Sequence, residues 1–267
     1  MTDLIAGYRR DMERRGLAHA TVDKRVRCLR LFQGDSGFAT TKEELEAWLD
    51  GRGLVAKSRS VWLSHLSCFY QWAVDEGHLE VDPTARIQRP KLRRKLPRPI
   101  PDKDLRKALA NADPRMRCWL LLGALAGLRC QEIAGLTVED VMEEDGILRV
   151  VEAKGGTERM VPIHGDIVEA LRALPMPARG PVFRGIRGRV TAGDVSHKTG
   201  DYLHGLGITS TPHALRHWYA TEVYRSTLDL RLTQELMGHK SVTSTEIYAR
   251  ADMQKAGVAV RALRIGA

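Results

Sequence analysis

Apolar side chains recur at helical spacing through the first eighty residues. Leu4, Ile5, Tyr8 and Met12 make one stripe that stops near Gly16, and Val22, Val26, Leu29 and Phe32 make a second. A third helix is predicted from Thr41-Lys-Glu-Glu44, a capping box in which threonine and glutamate each satisfy a free N–H, with Leu45, Trp48 and Leu49 turned inward. The fourth and longest starts near Ser58, buries Trp62, Leu66, Phe69 and Ala73, and ends at Gly77. Four short amphipathic helices predict a compact helical domain over residues 1–83.

The pattern then breaks. Residues 84–98, TARIQRPKLRRKLPR, hold seven basic residues, two prolines and no acid, which predicts an extended linker over 84–100. Periodicity returns in residues 101–267, with a short helix from Asp102 or Asp104 to Asn111 and a segment from Met116 to Ala126 that is apolar nearly all round and hence buried. The β-branched run Ile147–Val151 can pair with Arg159–Ile163 across a glycine-rich turn. Helices are predicted over Gly165–Leu174 and Thr191–Leu206, with a proline-, glycine- and arginine-rich loop between them. Another helix starts after Thr211-Pro212, a helical pattern ends at Gly238, and Met253, Val258, Val260 and Leu263 predict a last short helix. The expected fold class is mainly α with a small β-sheet, a helical domain followed by a mixed α/β domain.

Charge adds a partner to this outline. The chain carries 42 Lys and Arg against 33 Asp and Glu, net +9 with a pI near 9.6, and residues 1–100 hold 19 basic side chains against 13 acidic ones. A polyanion, most simply nucleic acid, fits that surplus. Lys24, Arg25, Arg27 and Arg30 on the second helix, with Arg93, Arg94 and Lys95 in the linker, read together as a surface that tracks the phosphates of double-stranded DNA. Cys28, Cys68, Cys118 and Cys130 are widely spaced in apolar patterns, so free buried thiols are expected rather than disulfides or zinc ligands, as in a cytosolic protein. No stretch resembles a signal peptide or is apolar for the eighteen or so residues that span a bilayer, so no membrane partner is expected.

The chemistry concentrates in residues 211–250, TPHALRHWYATEVYRSTLDLRLTQELMGHKSVTSTEIYAR. His213 and Arg216 stand three apart in the first turn of a helix, where free N–H groups, a positive dipole end and a planar guanidinium can together hold phosphate. Tyr248 can act as a nucleophile if nearby cations favour its phenolate. His213-x-x-Arg216, then Leu-Met-Gly-His239, then Tyr248 resembles the C-terminal signature of the tyrosine recombinases, the phage integrase family. Upstream, Gly127-Leu128-Arg129-x-x-Glu132-Ile133-x-x-Leu136 resembles that family's first active-site box, and Lys154-Gly155 with Arg159-x-Val161-Pro162-Ile163 resembles its hairpin. Trp218 departs from the second box, where a small Thr or Ser is more common.

The resemblance covers nearly the whole chain. It implies a four-helix core-binding domain, to whose second helix Thr21–Phe32 is similar, then a basic linker and a mixed α/β catalytic domain whose C-terminal tail is exchanged between subunits. It also implies that Arg129, Lys154, His213, Arg216, His239 and Tyr248 are catalytic and that Glu132 supports them. In the implied mechanism Tyr248 attacks the scissile phosphate to give a 3′-phosphotyrosine, Lys154 protonates the leaving 5′-oxygen, His213 assists proton transfer and His239 hydrogen-bonds the phosphate. A second 5′-hydroxyl then reverses the step through a Holliday junction, with no external energy source.

Two arginines can stabilise charge on the phosphate oxygens, and no zinc spacing, EF-hand, P-loop or paired-carboxylate motif is present, so neither metal nor other cofactor is expected. The implied partners are double-stranded DNA with inverted core-type sites, a homotetramer on that DNA, and an accessory bending or directionality factor. The implied location is the bacterial cytoplasm or nucleoid, or the host cytoplasm for a phage-encoded protein. Integration or excision of phage or mobile-element DNA is the leading expectation. The alternatives are a Xer-type resolvase of chromosome or plasmid dimers, a DNA-binding protein without catalysis, and a type IB topoisomerase. The first helix starts almost at Met1, so no arm-binding module is expected ahead of the core-binding domain.

Overall fold

The computed structural model describes residues 4–36, 38, 41–92, 98–151, 158–185 and 188–238. The chain divides into two compact units, residues 1–95 and 96–267. The first contains α1 (Leu4–Arg14), α2 (His19–Ser36), α3 (Lys42–Gly51) and α4 (Ala56–Asp75). Each stripe read from the sequence faces one core, with Tyr8, Met12, Val22, Leu29, Phe32, Leu45, Leu49, Leu66 and Phe69 fully buried. The aromatic rings meet edge to face, Phe32 on Trp48 at 4.6 Å and Tyr8 on Phe69 at 5.5 Å between centroids. The predicted capping box closes α3, with the Thr41 hydroxyl accepting from Glu44 N–H and the Glu44 carboxylate accepting from Thr41 N–H, both at 3.3 Å.

Two details differ from the sequence reading. α4 begins at Ala56, and its inward stripe centres on Leu63, Leu66 and Tyr70, so Trp62 is only half-buried and stacks near Trp48 with the Arg52 guanidinium 5.1 Å from its ring. Thr84 and Ile87, at the start of the basic segment, are buried in this unit, where the Thr84 hydroxyl bonds to Ser67 at 3.0 Å and to Asp82 at 2.7 Å. A β-branched residue and a threonine with two oxygen partners gain more from that turn than from an extended path in water.

The second unit is built on α6 (Pro114–Leu125), whose Cys118 to Ala124 are all buried. Asp113 caps it by accepting from Met116 N–H at 2.9 Å. Around it pack α5 (Asp102–Asn111), α7 (Cys130–Gly135), α8 (Gly165–Arg172), α9 (Ala192–Gly205) and α10 (Pro212–Thr227), and α11 (Leu230–Met237) follows α10. A three-stranded antiparallel sheet has the order β1 (Val141–Met142), β2 (Ile147–Val151), β3 (Glu158–Pro162), with Val150 opposite Arg159 and Leu148 opposite Val161. β4 (Arg184–Gly185) and β5 (Gly188–Arg189) form a small hairpin inside the stretch expected to be loop. Cys28 and Cys118 are buried and Cys68 and Cys130 half-buried, all four as free thiols. Among the described residues no helix is long and apolar enough to cross a membrane.

The turn from α6 into α7 depends on Gly127, which sits at φ +64°. A Cβ there would lie 2.8 Å from Cε1 of the buried Tyr219 ring. Gly127→Ala is therefore expected to destabilise the unit by about 2 to 4 kcal/mol, the left-handed backbone and the displaced ring adding together. Urea denaturation checks this, and an unchanged midpoint would show that the turn accepts a side chain.

Candidate active site

α10 opens as the Thr-Pro signal predicts, with Thr211 as N-cap and Pro212 in the first turn. Its start is held from outside: Ile100 N–H donates to Ala214 O at 3.2 Å, and Trp218 Nε1 donates to Asp102 at 2.6 Å. Trp218 thus ties α10 to the head of α5, a role open to an indole and closed to the smaller residue more common at that position. His213 is exposed at the head of α10, whereas Arg216, one turn on, is 1% exposed.

Arg129 is the N-cap residue of α7, and its side chain remains 34% exposed. Glu132, in the first turn of that helix, is the hub. Its side chain is 2% exposed and accepts Arg129 N–H at 2.7 Å, Arg129 Nη1 at 2.8 Å, and both Nη atoms of Arg159 at 2.8 and 3.0 Å. Arg216 Nη1 approaches the same carboxylate at 3.9 Å. Three guanidiniums around one carboxylate leave a local surplus of positive charge, which water-poor surroundings make costly unless an anion arrives.

The same three arginines meet again at the end of α11. Asp229 caps the start of that helix, accepting from Leu232 N–H at 2.9 Å, and Gly238 ends it in the left-handed region at φ +59°. There Arg159 Nε donates to Leu236 O at 2.9 Å, Arg216 donates to Met237 O, and Arg129 Nη2 donates to Gly238 O at 3.4 Å. Arg216 donates also to Gly127 O. Three successive carbonyls, left without helical partners at a C-terminus, are taken by three cations from α7, β3 and α10.

Burial alone would raise the Glu132 carboxyl, but the hydrogen bonds and charge of Arg159, with Arg129 N–H and Arg216, bring it down to about 2. The surrounding protein, then Arg216 and Arg129, hold His213 below the ordinary histidine range although its outer edge meets solvent. Burial, then His213 and Arg216, bring His217 down to about 4, and the two imidazoles stand edge to face at 4.4 Å. Both shifts favour the neutral imidazole near pH 7, and a neutral imidazole can accept a proton.

Of the residues singled out in the sequence, the structure brings together Arg129, Glu132 and Arg216, with His213 one turn from Arg216. Lys154, His239 and Tyr248 lie outside the described residues, as do Arg93, Arg94, Lys95 and the C-terminal tail. Lys24, Arg27 and Arg30 are exposed on α2. Arg25 instead turns onto its own unit, donating to Tyr8 Oη at 3.2 Å and touching Met12 Sδ at 3.9 Å. Among the described residues no three His, Cys, Asp or Glu side chains gather as a metal site would require. The sequence pattern by itself assigns no role to Arg159 or His217. The signal for Arg159 was available: it shares a strand face with the buried Val161, and an arginine on an inward face needs a buried partner.

A model of the phage integrase family matches residues 100–255. Among curated relatives, tyrosine recombinase XerD of Pseudomonas aeruginosa is 30% identical over 89% of this chain and 96% of its own length, and tyrosine recombinase XerC of Xylella fastidiosa is 35% identical over 81% and 78%. Among solved structures, the integrase from mycobacterium phage Brujita is 31% identical with a TM-score of 0.51, covering 98% of this chain and 94% of that one. A lambda integrase dimer bound to a COC′ core site has a TM-score of 0.77 at 22% identity, covering 95% and 96%.

Proposed function

The chain belongs to the phage integrase family and is a tyrosine site-specific DNA recombinase, and from that premise we propose that Arg129, Arg216, His213, Lys154, His239 and Tyr248 carry its strand exchange. The observation that supports this most is the cluster of three guanidiniums on the single carboxylate of Glu132, a site with more positive charge than it can neutralise internally. A phosphodiester brings one negative charge, and its transition state spreads more over the non-bridging oxygens. Arg129, half-exposed, presents its guanidinium at the surface, and Arg216 adds fixed charge from beneath.

The Tyr248 oxygen attacks phosphorus, the P–O5′ bond breaks, Lys154 gives a proton to the departing 5′-oxygen, and His213 receives the phenolic proton. His239 follows directly on the carbonyl that Arg129 holds and hydrogen-bonds the phosphate. Duplex DNA with inverted core-type sites is the substrate, in keeping with the lambda integrase dimer bound to a COC′ core site. Residues up to Ile87 belong to the core-binding domain, the basic stretch after Ile87 is the linker, and Ile100 to residue 267 form the catalytic domain with its exchanged tail. Lys24, Arg27 and Arg30 on α2, with Arg93, Arg94 and Lys95, bind the backbone phosphates. A homotetramer on DNA, assisted by a bending or directionality factor in the bacterial cytoplasm, integrates or excises mobile DNA. The comparable identity to XerC and XerD favours dimer resolution as the second reading.

A nicked suicide duplex, in which the cleaved end diffuses away, tests the chemistry. An SDS-resistant protein–DNA species whose peptide map places the DNA on Tyr248 is the expected result. An adduct on another residue, or none with bound DNA, would overturn it.

A further inference from the structure

We infer that Arg159 is a positioning residue of this active site, a third guanidinium that fixes where Arg129 and Arg216 present their charge to the scissile phosphate. The inference rests on the proposed roles of those two arginines. All three faces of the Arg159 fork are used: Nη1 and Nη2 grip the two oxygens of Glu132 at 2.8 and 3.0 Å, and Nε holds Leu236 O at 2.9 Å. The side chain is 11% exposed and reaches from β3 to α7 and to the end of α11.

The α11 terminus is shaped to admit it. Gly238 sits at φ +59°, and a Cβ there would come within 3.1 Å of Arg159 Cδ and Nη1, so a side chain would strain the turn and push Arg159 aside by a few tenths of an ångström. The bidentate grip fixes the plane of the Glu132 carboxylate, and Arg129 takes its own orientation from an oxygen of that carboxylate. Arg159 also holds the first of three successive carbonyls whose next two are held by Arg216 and Arg129. Removing it frees both the carboxylate plane and the turn against which the other two arginines are set. Misplacing such groups by an ångström costs on the order of 10²-fold in rate.

A role through Arg129 and Arg216 makes a prediction that a merely structural role does not. The two arginines matter because the scissile phosphate is charged. A methylphosphonate, with one non-bridging oxygen replaced by methyl, carries no such charge and asks less of them. Full-length Arg159→Met and Arg159→Lys are compared with the unaltered protein for cleavage of saturating suicide duplexes carrying either linkage. On ordinary DNA, Arg159→Met is expected to cleave ~10²-fold slower with duplex affinity unchanged, and Arg159→Lys, which keeps the charge and loses the fork, to fall between. On the methylphosphonate the deficit of both should shrink below about 10-fold.

Equal losses on the two linkages, or no loss on ordinary DNA, would overturn the inference. If Arg159→Met does not fold by circular dichroism, Arg159→Lys carries the same comparison. Failure of the unaltered protein to form any adduct would instead remove the reading of the site as a tyrosine recombinase centre, so the two failures are distinguishable.

Discussion

Arg216→Ala is expected to slow strand cleavage by ~10³-fold or more while leaving DNA binding nearly intact, because a guanidinium that stabilises charge in phosphoryl transfer is worth that much. On the proposed reading duplex affinity rests on many backbone contacts, and the loss of one buried cation changes it little. The structural cost is separate. Arg216 is 1% exposed and donates to Gly127 O and Met237 O, so alanine leaves two carbonyls without their donor and a cavity between the α6–α7 turn and the end of α11. Removing the charge should also let the pKa of His213 rise toward the ordinary histidine value, since Arg216 is second only to burial in holding it down. Single-turnover cleavage measures the first effect and imidazole NMR titration the second. Cleavage within ~10-fold of the unaltered rate would show that Arg216 is a structural cation and leave Arg129 to act alone.

The second large effect falls on stability. Glu132→Gln keeps the shape of the side chain but removes the negative charge that Arg129, Arg159 and Arg216 share, and turns an amide N–H toward their donors. Breaking a buried pair in this way costs about 3 to 5 kcal/mol. The pH dependence follows from the depressed carboxyl. An unfolded glutamate titrates near 4.5 and the folded Glu132 near 2, so its contribution is complete above about pH 4.5 and is lost as pH falls toward 2. That contribution is roughly 3 kcal/mol, and Glu132→Gln should lack this part of the acid sensitivity. Urea denaturation between pH 7 and pH 3 checks both statements. Parallel stability curves for the two proteins over that range would show that Glu132 is not the titrating group.

Much of the fold was legible because local patterns decide it. The stripe of Ile5, Tyr8 and Met12, the capping box at Thr41 and Glu44, and the left-handed Gly238 each specify a boundary or a buried face from neighbours within a turn or two. The β2–β3 pairing was legible too, since a β-branched run and a second strand pattern flank a glycine-rich turn. β1, β4 and β5 were not, because two residues hold no alternation to read. Trp62 fits the helical period of α4, but its place at the edge of the stripe leaves it half in water beside Arg52.

The sequence by itself determined which residue types stand in which order, and that order was enough to identify the family and to nominate Arg129, Glu132, His213 and Arg216. Only the tertiary structure decided what those groups do to one another. Periodicity says that a face is buried and is silent about what lies across it. Glu132 and Arg159 are 27 residues apart, and Arg129 and Gly238 are 109 apart. A buried charge is tolerable only where partners converge from several elements at hydrogen-bonding distance. That convergence is made by the packing of α7, β3, α10 and the end of α11, and it is why Arg159, an unassigned member of a strand motif in the sequence, stands in the structure between the carboxylate and the turn.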